Sequence, residues 1–512
     1  GKASAASSSV TPLAEVISGL FSTYLYHGTG SNLEINNGIN LSGKGGLVWA
    51  KRRDGSDAHW LVDTERGLNK SLQSNSTNSE NTNSDQIVSF DSDGFTLGNR
   101  NEGQNYSNLP YVSWTFRKEP KFFDIVTYTG DGNDGRTISH SLGSTPGMII
   151  VARRDSTNYW RVWHRSQTGK YANLYDTGDF ADDSSSSGVF NDYSGNSSTF
   201  TAGININASS ATYVAYLFAH NNNDGGFGTD SEDIIKCDSY TGNNSTDGPT
   251  INLGFEPQWL FIKHTDANGN SSFILDNMRG VFTGGADPTL SPNQGQDEQD
   301  TQNMVEFTPT GFQIKRANSN INGNGNTYIY MAIRRPDQSV PTSASDVFAI
   351  NVGDGNGSST AVQFTSGFPV DFAYLRPSGS IANNNFYSRL TGNKYLSANS
   401  TASETTDASD YRFDSNTGWY FGSTNWTSWM WKRARGFFDV VTYKGTGSAT
   451  TINHNLGVAP EMIWLKSRDS AENWQVGADV LTGTWERIVY LNRTDGEGTS
   501  SAVWFYWNSR YE

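Results

Sequence analysis

The feature that most limits what this chain can fold into is a motif that returns at domain-sized intervals. A strand-like run ending in a glycine turn occurs five times, as Tyr24-Leu-Tyr26-His-Gly28, Val126-Thr-Tyr128-Thr-Gly130, Ser239-Tyr240-Thr-Gly242, Ile350-Asn351-Val-Gly353 and Val441-Thr-Tyr443-Lys-Gly445. The glycines stand 102, 112, 111 and 92 residues apart. That spacing is too long for a solenoid unit and fits a small domain. The chain therefore reads as a tandem array of five homologous modules. They run over residues 21–118, 119–229, 230–336, 337–433 and 434–512, after an N-terminal segment over 1–20.

Other landmarks recur in the same order. Leu142-Gly143-Ser-Thr-Pro146, Leu253-Gly254-Phe-Glu-Pro257, Gly367-Phe-Pro369 and Leu456-Gly457-Val-Ala-Pro460 are sharp turns, matched by Gly43-Lys-Gly45-Gly46 in the first module. Glycine supplies positive φ there and proline fixes φ. Each turn leads into a short apolar run: Leu47-Val-Trp49, Met148 to Val151, Trp259 to Ile262, Phe372 to Leu375 and Met462 to Leu465. Runs this short are read as strands buried on both faces. A glycine hairpin follows in Phe90-Asp-Ser-Asp-Gly94-Phe95, Phe307-Thr-Pro-Thr-Gly311-Phe312 and Phe413 through Gly418-Trp419. A closing strand ends the module: Tyr111 to Phe116, Tyr213 to Phe218, Tyr328 to Ile333 and Trp426 to Trp431. Seven or eight strands per module, with turns every ~8–12 residues, predict an all-β fold of antiparallel β-sandwiches. Only Thr11 to Phe21 has the pattern of a helical turn, with Thr11 as N-cap and Pro12 at the first position.

Composition agrees and excludes some partners. Lys and Arg number 37 against 52 Asp and Glu, a formal charge of −15, which repels a phosphate backbone and argues against nucleic-acid binding. Charged residues are only 17 %, yet aromatics reach 13 %, so many small aromatic cores are expected instead of disorder. No apolar run is long enough to span a membrane as a helix. Cys237 is alone, which leaves no intrachain disulfide framework and no thiolate metal site. Gly1 to Ser9 lacks the basic and apolar stretches of a signal peptide.

The joints between modules are short. Arg117 to Asp124 and Lys432 to Asp439 both end in Phe-Phe-Asp. Joints of this length predict touching neighbours in a semi-rigid rod, bending at Asn221 to Gly228 and between Pro336 and Pro341. The fifth module reaches Ala502-Val-Trp-Phe-Tyr506 without a closing strand. The expectation is that the natural chain continues past Glu512 or that another chain supplies the missing strands.

No residue pattern demands catalysis. His140 and His454 share an Ile-x-His-x-Leu-Gly sequence absent from the other modules, and they read as turn-packing histidines. Asp63-Thr-Glu-Arg66-Gly67 and Asp276-Asn-Met-Arg279-Gly280 repeat an Asp-x-x-Arg-Gly, read as a local ion pair at a turn. Asp54, Asp155, Asp266 and Asp469 follow the apolar strands and read as caps of backbone N–H groups, with calcium binding as the alternative. The loops Asp131-Gly-Asn-Asp134 and Asp354-Gly-Asn-Gly are also oxygen-rich, so calcium is the one cofactor left open. Trp426, Trp429 and Trp431, or Tyr159, Trp160 and Trp163, are candidate platforms for stacking sugar rings, against a reading as core and inter-module contacts.

Phe21-Ser-Thr-Tyr24-Leu-Tyr26, Ser89-Phe-Asp-Ser-Asp-Gly-Phe-Thr-Leu-Gly98, Tyr111-Val-Ser-Trp-Thr-Phe-Arg117, and Phe122-Phe-Asp-Ile-Val-Thr-Tyr128 with His140-Ser-Leu-Gly143 resemble a known module. It is the repeat of large virion proteins from tailed phages of marine bacteria, cyanophages especially. The resemblance spans nearly the whole chain and is weaker in modules three and four. It implies a structural virion protein, a tail fibre or appendage on the outside of the particle, and not an enzyme. Implied partners are other virion proteins and a host cell-surface glycan or protein, with a homotrimer as a possible assembly. A secreted bacterial adhesin or filament subunit is the main alternative, and a surface-polysaccharide depolymerase a lesser one.

Overall fold

The computed structural model describes residues 13–82, 86–101, 103–183, 188–227, 232–336, 340–353, 362–379, 382–407, 411–422, 425–482 and 484–499. Apart from short helical turns, the regular structure is antiparallel β-strand. The chain divides into two compact units, Gly1–Val281 with Ala286–Pro336, and Phe282–Gly285 with Asp337–Glu512.

Module one sets the pattern. Its strands are β1 (Phe21–His27), β2 (Leu33–Asn36), β3 (Gly46–Arg52), β4 (Trp60–Asp63), β5 (Lys70–Gln73), β6 (Asn81–Thr82), β7 (Ile87–Asp91), β8 (Gly94–Leu97) and β9 (Pro110–Arg117). A six-stranded sheet has the order β1-β9-β3-β4-β5-β6, and a small sheet has the order β2-β8-β7. The closing strand β9 thus lies between the first and third strands, so the module is sealed by its last residues. The β7–β8 hairpin needs a glycine at Gly94, where φ is 146° and a Cβ would meet the Ile35 carbonyl oxygen at 1.8 Å.

The six-stranded sheet has two apolar faces, as the continuous run of β3 requires. On one face Val48, Val62 and Tyr111 pack with Ile35, Phe95 and Leu97 of the small sheet. On the other, Leu25, Leu47, Trp49, Leu61, Trp114 and Phe116 join a larger cluster that includes residues of modules two and three. The third strands of modules one to three are almost wholly buried.

Modules two and three repeat the order. Their large sheets place the closing strands Thr212–Ala219 and Thr327–Arg334 between first and third strands. Module four does the same with Trp426–Trp431. Among the described residues, modules one, three and four have three-stranded small sheets, and module two has only Arg136–Ser139 paired with Thr199–Ala202. Module five shows one four-stranded sheet over Met462–Leu465, Gln475–Ala478, Arg487–Tyr490 and Gly498–Thr499. Its Met462 and Trp464 are 54 % and 43 % exposed, against 1 % and 2 % for Leu47 and Trp49 in module one.

The first unit corrects the expected rod. Its three modules close on one another, each touching both others around the shared apolar cluster. The Glu80 N–H donates to the Arg154 carbonyl (2.8 Å), the Phe180 N–H to that of Thr265 (3.0 Å), and the Glu298 N–H to that of Arg53 (2.7 Å). Those bonds run from module one to two, two to three, and three back to one. The physical reason is the second apolar face of each sheet, which a linear string would leave in water. The described ends of the second joint are tied together: the Asn221 side-chain oxygen accepts from the N–H groups of Ile234 and Ile235.

A helical turn occurs over Leu13–Ser18, inside the expected range, while Phe21 already opens β1 and Thr11 and Pro12 lie outside the described residues. In module one the expected turn over Gly43 to Gly46 overlaps a second short helix, Leu41–Lys44, capped by the Asn40 side chain. No helix among the described residues is long and apolar enough to cross a membrane.

Candidate functional site

The repeated Asp-x-x-Arg-Gly is a pair, but not a solvated one. Asp63 and Arg66 meet at 2.5 Å and Asp276 and Arg279 at 2.6 Å, with all four side chains fully buried. Each pair reaches a neighbouring module. The Tyr216 hydroxyl of module two donates to Asp63 at 2.8 Å, and the Trp114 indole of module one donates to Asp276 at 3.0 Å. Outer acids complete the junctions: Glu80 accepts from Arg66 and Arg154, and Glu298 from Arg279 and Arg53. Burial alone would raise the Glu298 carboxyl, but the Arg53 and Arg279 guanidinium groups hold it below its ordinary range. In the second unit, Arg468 and Glu404 form the matching pair at 2.8 Å. These residues are junction chemistry.

Module two differs at the matching place. His164 occupies the position of Asp63, with Nε2 3.3 Å from the Tyr330 carbonyl, and burial drives it down to about 3. Lys263 of module three is fully buried, and its Nζ has no hydrogen-bond partner among the described residues.

The candidate calcium loop over Asp131 to Asp134 is occupied by its own protein. Asp131 accepts from the Asn207 amide (2.6 Å) and the Asn133 N–H (2.9 Å), and Asp134 accepts from the Asn191 amide and the Ile204 N–H. Asp354 and its loop lie outside the described residues. Among the described residues, no group of three or more His, Cys, Asp or Glu is placed to hold a metal ion. Asp155 and Asp266 accept the N–H groups of Thr212 and Thr327, and Asp54 pairs with Arg52. The His140 and His454 Nδ1 atoms accept the N–H groups of Leu142 and Leu456 in matching turns. His140 borders a shallow cleft of about 280 Å³ with Glu65, Lys118 and Asp124, where Lys118 already pairs with both acids.

Sequence reasoning missed a repeated asparagine. Asn105, Asn207 and Asn322 are buried, and each ties the first hairpin loop to the loop before the closing strand. Asn105 donates to the Ser31 and Gly98 carbonyls and accepts from the Thr29 N–H, and Asn322 accepts from the Asn243 N–H. A glycine precedes Asn105 by two residues and Asn207 by four, but none stands so close before Asn322, and Asn is too common here to stand out. Likewise unread were the stacked pairs Tyr26–Tyr111, Tyr128–Tyr213 and Tyr240–Tyr328, each at 5.1 Å.

The two aromatic platforms do not form as drawn. The period of two puts Trp429 and Trp431 on one face of their strand and Trp426 on the other. All three are half-buried: Trp426 against Phe421, Trp429 against Tyr374, and Trp431 against Phe348. Trp160 and Trp163 are buried in module two, each 1 % exposed. Tyr159 stays 45 % exposed and finds another partner. Arg161 pairs with Asn173 across the hairpin, so the register carried two residues outward sets Tyr159 opposite Tyr175. Their rings are nearly parallel, with centroids 5.2 Å apart. The Arg161 guanidinium stands over both Tyr159 (4.9 Å) and Tyr171 (5.0 Å) and donates to Asn173 (2.7 Å). Asn173 in turn donates to Asp176 (2.8 Å). Partial burial and the Asp176 carboxylate push the Tyr175 hydroxyl up to about 12, so it remains a donor at neutral pH. Module one has Ala58, Trp60, Ser71 and Asn75 at the places of Tyr159, Arg161, Tyr171 and Tyr175.

A family model described as "Domain of unknown function (DUF7483)" matches residues 17–336 and 343–510. The boundary between the two stretches falls where the chain divides into its units. No curated protein and no solved structure matches the chain.

Proposed function

The chain belongs to this family, whose description assigns no activity, and on that premise we propose that it is a structural component of a phage virion appendage that helps attach the particle to a host cell surface. One observation carries the reading. A repeated β-sandwich scaffold is kept firm by buried junctions, while module two presents two stacked tyrosines and an arginine at positions where module one has Ala58, Asn75 and Trp60. Scaffolds are shared between modules, and recognition surfaces belong to the member that uses them. The resemblance of the module sequences to virion proteins of marine phages supports the setting. The acidic balance of −15 suits a soluble, non-sticking surface. The reading assigns no reaction to the chain and calls on no bound metal. Its partners are other virion proteins and a host-surface glycan or protein.

The test is twofold. Antibodies raised against the purified chain should decorate phage particles in immunogold micrographs, and the labelled chain should adsorb saturably to host cells. Decoration of a bacterial envelope with no label on virions would favour the secreted adhesin instead. Absence of both labelling and adsorption would sink the attachment reading.

A further inference from the structure

We propose that Tyr159, Arg161, Tyr171, Asn173, Tyr175 and Asp176 of module two form a saccharide-binding site for an uncharged pyranose chain. The proposal deepens the attachment reading, on which it rests only for where such a chain is met. Tyrosine rings give rigid, amphipathic contact area that suits the apolar C–H face of a pyranose, at low cost in side-chain entropy. Tyr159 and Tyr175 stack on each other with centroids 5.2 Å apart, so they stand as one rigid aromatic block whose exposed member is Tyr159, next to a third ring in Tyr171. The polar groups beside them are already fixed in a row. Arg161 donates to Asn173, Asn173 donates to Asp176, and Asp176 also accepts from the Gly178 N–H (2.9 Å). Groups held this way lose little freedom when they bond to sugar hydroxyls.

The five tyrosine, arginine and asparagine positions share one face of the large sheet of module two, by the register that pairs Arg161 with Asn173. Charge selects among sugars. Arg161 is matched by the nearby Asp176 within a chain of net charge −15, so a uronate or sulfated polymer gains little locally and is repelled at longer range.

The experiment is calorimetry on the full chain with neutral hexasaccharides of glucose and of mannose, and with the galacturonic acid hexamer. A neutral hexamer should bind, and Tyr159→Ala and Tyr175→Ala should each weaken binding by about tenfold or more. Leu68→Ala, at an exposed residue of module one outside the cluster, should bind like the parent. Tyr159 is exposed, so its variants should unfold in urea at the parent's midpoint. If Tyr159→Ala proves unfolded, Arg161→Met serves the same purpose. The proposal is overturned if no neutral hexamer binds at millimolar concentration, if the alanine variants bind like the parent, or if the galacturonic acid hexamer binds more tightly. Cell adsorption separates this from the attachment reading. Adsorption without glycan binding defeats the saccharide site alone, and glycan binding without adsorption defeats the attachment reading alone.

Discussion

Replacing Arg66 by methionine removes the centre of the junction between modules one and two. The guanidinium has no exposed surface, and it bonds to Asp63 (2.5 Å), Glu80 (3.2 Å), the Leu61 carbonyl (2.8 Å) and the Tyr216 hydroxyl (3.1 Å). Methionine fills much of the volume but leaves Asp63 charged and buried. Glu80 keeps Arg154, and Asp63 keeps the Tyr216 hydroxyl and the N–H groups of Glu65 and Arg66. Breaking a buried pair from one side costs about 3–5 kcal/mol, chiefly because the remaining charge is uncompensated. Tyr216→Phe deletes one hydroxyl bonded to a charged group and should cost about 1.5–3 kcal/mol. Arg153→Met, which breaks a pair whose side chains are 25 % and 37 % exposed, should cost at most about 1 kcal/mol. Asp63→Leu combined with Arg66→Met removes both charges and should recover most of the single-variant loss. Urea unfolding followed by tryptophan fluorescence reads these differences, since Trp114, Trp160, Trp163 and Trp259 are all buried in the first unit. The reasoning fails if Arg66→Met costs no more than Arg153→Met, or if the double variant is as unstable as the single.

Three further outcomes are expected. His164 titrates near 3 when folded against an ordinary 6.5, so the unfolded chain binds more protons between those values. The stability it contributes is complete above pH 6.5 and is lost as pH falls through the window, by up to about 1.4 kcal/mol per pH unit. Urea midpoints from pH 4 to 7 should show this slope added to that of His59, His140, His220 and His264, which burial also holds low, and His164→Gln should reduce it; an unchanged slope in the variant would exclude His164 as a source. Asn207→Ala should cost about 1–3 kcal/mol locally, because the amide holds Asp131 and Asn133. Faster amide exchange confined to residues 131–136 and 204–208 is the readout, and unaltered protection there would refute the staple. Cys237 is buried, and burial pushes its thiol far above the ordinary value, so a thiol reagent should label it only on unfolding. Rapid labelling of the native chain would contradict that burial.

Much of the fold was legible because each module writes its strands in short apolar runs and its turns in glycine. Gly94, for instance, sits where a Cβ would strike the Ile35 carbonyl, so the turn could be read from one residue. The doubly apolar third strands were legible too, but not what covered their second face. The candidate site was legible only in Tyr159. Its partners Arg161, Tyr171 and Tyr175 follow from a strand register that adjacency in sequence does not display, and Trp160 and Trp163 were drawn away into the core.

The sequence by itself determined an array of all-β modules, because periodicity, turn chemistry and strand length are local properties repeated along the chain. Only the tertiary structure decided that three modules close on one another, that Asp63–Arg66 and Asp276–Arg279 are junctions instead of surface turns, and that Tyr159 stacks on Tyr175. Those outcomes depend on contacts that cross between strands or modules, such as Tyr216 with Asp63 and Trp114 with Asp276. They are fixed by which apolar faces find one another, and a pattern of two residues per repeat shows that a face exists without showing what it meets.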